Sequence, residues 1–214
     1  MRTMENDKWT VAVEIISRGG IAVIPSDTLY GIVTSILKPE SIDRLYHVRE
    51  RNPAKPCIVL LSKKEELQTF ISQEMFTRHN KLFSFLWPGP ISIALPVADS
   101  RWEHLHRNTK TIAFRVPDND RLRNFLFRCG PVIAPSANKE GQKVSSNISE
   151  AKSIFGKNVD FYLDGGVLRG EPSTLISLVE KDILILRENP KTIKKLIRLL
   201  RDFGYNVCRF SQKR

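Results

Sequence analysis

Residues 57–62 read CIVLLS, a short run of apolar side chains that ends in a single serine. A run this short and continuous is typical of a central strand covered on both faces, because such a strand buries all of its side chains. Similar runs recur at residues 21–25, 91–97, 111–116, 132–135, 161–164, 174–179 and 183–187. The sequence therefore predicts a large sheet with residues 57–62 in its interior.

Segments with helical spacing lie between these strands. Apolar residues three and four apart predict helices near residues 8–18, 41–50, 63–71, 74–86, 119–128, 147–155 and 190–201. The paired glycines at 19–20 and the sequence WPGP at 87–90 are helix-ending signals. Strands and helices that alternate along the chain favour an α/β or α+β domain with helices on the faces of its sheet.

The chain has 214 residues, of which 41% are hydrophobic. A domain of this size buries roughly 70% of its unfolded surface, so it needs neither a disulfide nor a metal to hold its core together. We expect one domain, residues 1–214, with a core at about residues 8–201 and a basic tail at residues 202–214.

The chain carries 34 Lys and Arg residues against 23 Asp and Glu, a net charge of +11. This excess favours anionic partners such as nucleotides, pyrophosphate, RNA or acidic lipid, although solvated surface charge explains it equally well. Cys57, Cys129 and Cys208 are scattered, which argues against a disulfide framework or a structural zinc site and suits a reducing cytoplasm. No segment resembles a signal peptide or a membrane span of ~20 apolar residues.

Several common nucleotide and hydrolase motifs are absent. The sequence has no GxxxxGK[ST], no GxGxxG and no GxSxG pattern. His104 and His106 have the spacing of one strand face, but no cysteine or carboxylate cluster accompanies them, so no metal site is predicted. Any nucleotide would have to be bound by other loops.

Polar residues follow several predicted strands, at positions where α/β sheets usually bind ligands. The segment SDTLYG contains Ser26, Thr28 and Tyr30, which suit a small ligand with an amine and a hydroxyl group, or else complete an ordinary Ser/Thr turn. The segment RERNPAKP, residues 49–56, places two arginines and Lys55 on a short connection. That cluster favours phosphate binding over plain surface charge.

Two later segments have the same character. Residues 134–141, APSANKEG, offer a hydroxyl, an amide and backbone N–H groups that suit a phosphate, although a plain turn would look the same. Two further hydroxyl groups follow in GEPSTLI at residues 170–176, and an arginine ends the next strand. The candidate anion-binding residues in and after these two segments are Ser136, Asn138, Ser173, Thr174 and Arg187.

Arg115 lies in TIAFRV, which is otherwise an apolar strand pattern. A buried charge needs a partner. An anionic group of a ligand and an internal Asp or Glu both satisfy this need, and we favour the ligand. The residues alone thus predict an anion-binding α/β protein with a ligand cleft.

Eight segments in sequence order resemble the YrdC-like threonylcarbamoyl-AMP synthases of the short, single-domain type. They are PSDTLYGI (25–32), RERNPAKP (49–56), WPGPISIAL (87–95), TIAFRVP (111–117), APSAN (134–138), LDGG (163–166), PSTLI (172–176) and LR (186–187). Together they span roughly residues 10–200, and their order is more specific than any single segment. The resemblance implies a twisted open mixed sheet with helices on its faces, enclosing a positively charged cavity.

The resemblance also implies an enzyme whose substrates are L-threonine, bicarbonate and ATP. In the family, threonine and bicarbonate form a carbamate that attacks the α-phosphate of ATP, and pyrophosphate leaves. The product, threonylcarbamoyl-AMP, passes to threonylcarbamoyl transferase proteins that modify tRNA. Mg²⁺ would accompany ATP and be held mostly by substrate oxygens, without a metal site in the protein. A cytoplasmic location, weak RNA binding and no membrane contact complete these expectations.

The family signature K-x-R…S-x-N matches a catalytic set that consists of Arg49, Arg51, Ser136 and Asn138. Threonine and bicarbonate would contact Ser26, Thr28, Tyr30, Lys55, Thr111 and Arg115. ATP would contact the catalytic set together with Lys55, Ser173, Thr174 and Arg187. Arg49 replaces the family lysine, which preserves the charge but puts turnover in question. Ser26 and Ser92 stand where threonine is common, and each keeps a hydroxyl group.

Two other functions fit parts of the sequence. A non-catalytic protein of this fold that binds RNA or nucleotides is supported by the net charge and by Arg49, whereas the intact Ser136 and Asn138 argue against it. The other alternative is a related enzyme that makes a different carbamoyl-adenylate. RNA binding that weakens with salt, without ATP turnover, would identify the non-catalytic binding protein. Competition between threonine and carbamoyl phosphate would identify the related carbamoyl-adenylate enzyme.

Overall fold

The computed structural model describes the backbone of residues 2–209 and the side chains of residues 8–209. Its α-helices are α1 Arg2–Ser17, α2 Pro39–Val48, α3 Gln73–Leu86, α4 Glu103–His106, α5 Asp120–Cys129, α6 Ile148–Phe155 and α7 Ile193–Asp202, with short 3₁₀ helices at Lys64–Thr69, Ser100–Trp102 and Gly156–Asn158. Its strands are β1 Ala22–Pro25, β2 Tyr30–Ser35, β3 Ile58–Leu60, β4 Ile91–Pro96, β5 Thr111–Arg115, β6 Val132–Ile133, β7 Phe161–Tyr162, β8 Thr174–Val179, β9 Asp182–Arg187 and β10 Asn206–Arg209.

The strands form one mixed sheet in the order β10-β9-β8-β4-β5-β3-β6-β2-β1-β7. The pairs β1/β7, β3/β5, β4/β8 and β9/β10 are parallel, and the other neighbours are antiparallel. The predicted interior strand corresponds to β3, which lies between β5 and β6. The mixed sheet flanked by helices confirms the predicted fold class.

Helices cover the two faces of the sheet unequally. On one face, α1 and α5 pack on β1, β2 and β3 in a small core that includes Trp9, Ile24 and Phe125. On the other face, α2, α3, α6 and α7 pack on nearly the whole sheet in a larger core that includes Phe83 and Phe155. Each large side chain buried in this way stabilises the fold by about 1.5–3 kcal/mol. Because only two of the described helices cover the first face, whereas α2, α3, α6 and α7 cover the other, the first face has room for a cavity next to α5.

Local sequence signals fix where several helices begin and end. The side chains of Ser72, Asn119 and Asn147 each accept a hydrogen bond from a backbone N–H in the first turn of the helix that follows. Such a cap is worth about 1 kcal/mol. At its other end α3 stops at the Trp87–Pro88 bond, which is cis. None of the described helices is long and apolar enough to cross a membrane.

The predicted elements agree with the structure apart from a few differences. β2 and β10 were not predicted; β10 lies within residues 202–214, which the sequence assigned to a tail, and residues 210–214 lie outside the described residues. The segment predicted as a helix at 63–71 is a 3₁₀ helix, α1 begins at residue 2 rather than near residue 8, and α7 begins at residue 193 rather than at 190. His104 and His106 belong to α4 rather than to a strand, and His104 Nε2 lies 2.8 Å from the carbonyl oxygen of Ile36.

Candidate active site

A cavity of about 230 Å³ lies on the sheet face that carries α5. Strand residues Ile24, Val33 and Leu60 line it together with Leu122 of α5. Nine of the thirteen candidate residues also line it: Ser26, Thr28, Tyr30, Arg49, Arg51, Arg115, Ser136, Ser173 and Arg187. The lining residues include four arginines and no Asp or Glu. The fold thus brings together candidate side chains that are up to 161 positions apart in the sequence.

Arg49 is held in the cavity wall by Asn138. Arg49, directly after α2, is only 2% exposed, and its Nε and Nη2 donate to the backbone carbonyl and to Oδ1 of Asn138 at 2.9 and 3.2 Å. Its Nη1 is buried and has no hydrogen-bond partner among the described residues. A buried donor without a partner is costly. Nη1 is therefore a donor that an anionic or carbonyl oxygen of a ligand would satisfy.

Asn138 connects Arg49 to Ser136. Its Oδ1 accepts from Ser136 Oγ at 2.6 Å as well as from Arg49, and its Nδ2 donates to the carbonyl oxygens of Lys139 and Gln142. The amide group is thus fully used by the protein, and Asn138 does not itself line the cavity. Its role in this structure is to hold Arg49 and Ser136.

Like charges are crowded in this wall. Burial lowers the pKa of Arg49, and the positive charge of Arg51 lowers it further. Taken as a whole residue, Arg187 is exposed, but its guanidinium group is withdrawn from solvent. This desolvation lowers the pKa of Arg187, and the positive charge of Arg115 lowers it further. Each shift disfavours the charged form in the protein alone, so a bound anion would stabilise all of these groups.

Arg51 stiffens the connection between α2 and β3. Glu50 adopts a positive φ of 51°, which turns the chain, and Arg51 then donates to the carbonyl oxygens of Lys55 and Pro56 at 3.3 and 2.9 Å. The guanidinium also lies 5.8 Å from the ring centroid of Tyr46. These contacts hold the charge of Arg51 at the cavity, and no Asp or Glu among residues 8–209 forms an ion pair with it.

The loop after β1 is the Ser/Thr turn that its sequence allowed. Ser26 Oγ donates to the carbonyl oxygen of Leu29 at 2.7 Å and accepts from the backbone N–H groups of Thr28 and Leu29. Tyr30 Oη donates to the carbonyl oxygen of Gly166 at 2.8 Å, and burial raises its pKa. The turn therefore satisfies its own backbone and still lines the cavity.

The structure gives Arg115 an internal carboxylate partner, one of the two kinds of partner that the sequence allowed, and Arg115 also lines the cavity, so ligand contact stays a prediction. Arg115 Nη2 forms an ion pair with Asp27 Oδ1, and both side chains are nearly buried, at 6% and 11% exposure. Its Nε and Nη1 donate to the carbonyl oxygen of Gly89 and to Thr28 Oγ1, both at 3.0 Å. Burial lowers the pKa of Arg115, and the Asp27 carboxylate opposes that shift. Asp27 was missed as a site residue because its partner is 88 positions away.

A chain of hydroxyl groups supports the part of the cavity wall that Ser173 and Arg187 form. Arg187 Nε and Nη2 donate to the carbonyl oxygen and Oγ of Ser173 at 3.0 and 3.1 Å. Ser173 Oγ lies 2.9 Å from Ser92 Oγ, which is fully buried in β4. Ser92, which stands where threonine is common, thus contacts Ser173 rather than the cavity.

Besides Asn138, three candidates lie outside the cavity lining. Lys55 Nζ forms an exposed ion pair with Glu140 at 2.6 Å, a partner that the sequence did not reveal. Thr111 begins β5, roughly 13 Å from Arg115 at the end of that strand, and it contacts Thr109 instead. Thr174 is fully buried, and its Oγ1 contacts Thr192 and the backbone N–H of Asn189. Direct ligand contact by these three residues stays a prediction, and in this structure their side chains contact other parts of the protein.

Residues 163–172 pass over the turn after β1. Tyr30 Oη accepts from the backbone N–H of Gly165 at 2.9 Å, which ties this segment to the cavity wall. At Gly170 a Cβ atom would lie only 1.9 Å from the carbonyl oxygen of Thr28. Only glycine allows this close approach of the two backbones.

Gly170→Ala is therefore expected to lower the free energy of unfolding by about 1–3 kcal/mol, the usual cost of overpacking. Gly31→Ala is the matched control, because its Cβ would meet its nearest neighbour at an ordinary 3.6 Å. Urea unfolding of both variants measures the difference. Equal stability of the two variants would contradict the close approach.

Comparisons with known proteins agree with this architecture. The Sua5/YciO/YrdC family model, described as telomere recombination, matches residues 14–189. The chain is 25% identical over 199 residues to a Pyrococcus abyssi protein named threonylcarbamoyl-AMP synthase, covering 92% of this chain and 58% of that protein. It is 26% identical over 177 residues to a protein of the same name from Pseudoalteromonas translucida, covering 79% of this chain and 94% of that protein.

A solved structure of a Pyrococcus abyssi Sua5 variant has the same fold. It superimposes with a TM-score of 0.80 at 25% identity, and the match covers 88% of this chain and 59% of that one. The chain thus spans about three fifths of the length of the Pyrococcus protein and nearly the full length of the Pseudoalteromonas protein. Since the family model covers most of the sequence and the fold agrees, the chain belongs to the Sua5/YciO/YrdC family.

Proposed function

We propose that this chain synthesises L-threonylcarbamoyl-AMP from L-threonine, bicarbonate and ATP, and releases pyrophosphate. The observation that carries the proposal is a cavity lined by four arginines without an acidic side chain, with a buried unpaired donor on Arg49. The name of the two relatives, threonylcarbamoyl-AMP synthase, gives the product. The product serves the threonylcarbamoyl modification of tRNA, and the threonylcarbamoyl transferase proteins of that reaction are the acceptors.

The reaction needs little acid–base chemistry from the protein. Bicarbonate and the threonine amine condense to a carbamate with loss of water. A carbamate oxygen then bonds to the α-phosphorus of ATP while the bond from that phosphorus to the bridging oxygen breaks, and this oxygen leaves with pyrophosphate. Negative charge shifts toward the leaving group during this step. Fixed positive charges at that place accelerate it by electrostatic stabilisation and by positioning.

Arg49 and Arg51 contact the phosphates in this proposal, with Ser136 beside them. Arg49 Nη1 is free to donate, and the guanidinium cannot turn away because Asn138 holds its other nitrogens. A donor fixed before the substrate binds needs no reorganisation during the reaction. Asn138 is thus a positioning residue, whereas Arg49 makes the contact.

Threonine binds next to the turn after β1. Ser26, Thr28 and Tyr30 line that part of the cavity with Arg115, which is held by Asp27. Thr28 Oγ1 already accepts from Arg115 Nη1 and lies 3.1 Å from Ser26 Oγ. This cluster of hydroxyl and guanidinium groups suits the carboxylate and hydroxyl of an amino acid.

ATP binds along the walls formed by Ser173 and Arg187 as well as by Arg49 and Arg51. The cavity lining contains no carboxylate, so the described residues offer Mg²⁺ no acidic ligand there, and Mg²⁺ would come with the triphosphate. The three cysteines are free thiols, which supports a reducing cytoplasm as the place of action.

Formation of labelled adenylate from radiolabelled bicarbonate, threonine and ATP tests the function. Arg51→Ala is expected to reduce pyrophosphate release about a hundredfold, because it removes one fixed charge from the leaving group. Lys157→Ala on the exposed surface is the control and should leave the rate unchanged. Full activity of Arg51→Ala, or incorporation of carbamoyl phosphate in preference to threonine and bicarbonate, would overturn the proposal.

A further inference from the structure

Glu140 joins the loop after β6 to the connection between α2 and β3. Its Oε2 accepts from the backbone N–H of Asn52 at 2.6 Å, and its Oε1 forms an ion pair with Lys55 Nζ at 2.6 Å. The backbone N–H of Glu140 itself donates to the carbonyl oxygen of Arg49 at 3.0 Å. One acidic residue thus holds the connection at three points, two of them through its side chain.

Arg51 lies between the points that Glu140 holds. It directly precedes Asn52, and it lines the cavity, whereas Glu140 does not. The guanidinium group of Arg51 donates to the carbonyl oxygens of Lys55 and Pro56, which belong to the same connection. The place of that charge in the cavity wall therefore depends on what holds the connection, and Glu140 supplies a contact from outside it.

The charge of Glu140 does not favour anion binding by itself. Hydrogen bonds from Lys55 and from the backbone of Asn52 lower the pKa of its carboxyl group, so the group is ionised at neutral pH. A carboxylate near a cavity that accepts phosphates repels them by Coulomb's law. Any benefit to phosphate binding therefore comes from the groups that this carboxylate holds.

Glu140 differs from an ordinary exposed ion pair. Lys139 and Glu50 form such a pair between the same two segments, and their contact involves side chains alone. Pairs of this kind contribute little to stability. The carboxylate of Glu140 also binds a backbone N–H, and a backbone contact fixes the path of the chain.

We propose that Glu140 is a positioning residue that holds Arg51 toward the phosphates of ATP, through the backbone N–H of Asn52. The inference rests on the proposed function, in which Arg51 contacts the triphosphate. A guanidinium group that is fixed before ATP binds loses less freedom on binding. Removal of the carboxylate is therefore expected to weaken ATP binding, although it also removes a repulsive charge. A plain electrostatic role of Glu140 predicts the opposite change.

Hydrogen exchange of the ligand-free protein tests whether Glu140 holds the connection. Glu140→Ala removes the acceptor of the Asn52 amide and keeps the backbone N–H that contacts Arg49. Amide hydrogens in the peptide 49–56 are expected to exchange about fivefold faster, because fewer contacts oppose local opening. Exchange at the unaltered rate in this peptide would overturn the proposal.

Asp160→Ala is the matched control for this measurement. The Asp160 carboxylate likewise binds a cation, Arg44, and a distant backbone N–H, that of Ile21, but it does not line the cavity. The variant should speed exchange near Ile21 and leave the peptide 49–56 unchanged. Equally fast exchange of that peptide in both variants would reduce the effect of Glu140→Ala to a general loss of stability, and the proposal would fail.

Isothermal titration calorimetry with ATP and Mg²⁺ tests the effect on the cavity. Glu140→Ala is expected to raise the dissociation constant of ATP about fivefold, whereas Asp160→Ala should leave it within about twofold. Glu140→Gln keeps an oxygen that accepts from Asn52 and removes the charge, so its dissociation constant should also stay within about twofold. Unchanged or tighter ATP binding by Glu140→Ala contradicts the proposal, as does equal weakening in the two Glu140 variants.

These measurements separate the positioning role from the proposed function. Hydrogen exchange needs neither ATP nor turnover, and adenylate formation by the unaltered protein is measured on its own. An unaltered protein that binds ATP without forming adenylate would refute the proposed function alone. An unaltered protein that forms adenylate, together with a Glu140→Ala variant that binds ATP as tightly, would refute the positioning role alone.

Discussion

Asp27→Ala should destabilise the folded protein by about 3–5 kcal/mol, the usual result of removing one partner from a buried ion pair. Asp27 Oδ1 contacts Arg115, which is 5% exposed, and Oδ2 accepts the backbone N–H of Asp118 at 3.0 Å. The substitution leaves a guanidinium in the cavity wall without its counter-charge. It also releases the loop between β5 and α5. Urea unfolding monitored by circular dichroism measures the loss.

A double variant separates the loss of the pair from the loss of local packing. Asp27→Ala combined with Arg115→Leu removes both charges, and replacing a buried pair by apolar groups is often neutral or stabilising. The double variant should therefore recover much of the stability that Asp27→Ala alone loses. A single variant within about 1 kcal/mol of the unaltered protein, or strictly additive effects, would contradict a coupled buried pair.

The sequence predicted those elements whose apolar pattern is strong. The strand at 174–179 and the helices at 74–86 and 147–155 match the structure to within about a residue at each end. β2 was missed because its first residues belong to the polar loop motif, and because it contains Gly31 and the buried polar residues Thr34 and Ser35. β10 was missed because NVCR is short, polar and at the sheet edge, where burial imposes no alternating pattern.

The convergence of the loops was predictable from their order along the chain, but the direction of individual side chains was not. Lys55 turns outward because Glu140, 85 positions away, attracts its ammonium group. Asn138 is used up by contacts with Arg49 and with backbone carbonyls, and no local pattern reports such saturation. Likewise, Asp27 in a turn motif gives no sign of a distant arginine. Side-chain roles that depend on long-range partners require coordinates.

The lysine-to-arginine departure at position 49 has a structural explanation. Two of the three guanidinium nitrogens bind Asn138, and only Nη1 is left for a ligand. Arg49 thus presents one nitrogen, Nη1, and one positive charge to the cavity, and a lysine would likewise present a single charged nitrogen. The departure therefore keeps a positive charge in the cavity wall.

On the proposed function, Arg49→Ala is expected to reduce pyrophosphate formation about 10²- to 10³-fold, because it removes a fixed charge that the proposal places next to the leaving group. Arg49→Lys should retain activity to within about tenfold, since the ammonium group restores that charge. Asn138→Ala removes the contacts that hold Arg49 but leaves Arg49 in place. It should therefore lower the rate of the protein with Arg49 far more than that of the Arg49→Lys variant. Single-turnover pyrophosphate release measures the unaltered protein, the three single variants and the double variant Arg49→Lys/Asn138→Ala. An inactive Arg49→Lys variant would instead show that the reaction requires the guanidinium group held by Asn138, and that a positive charge alone is not enough.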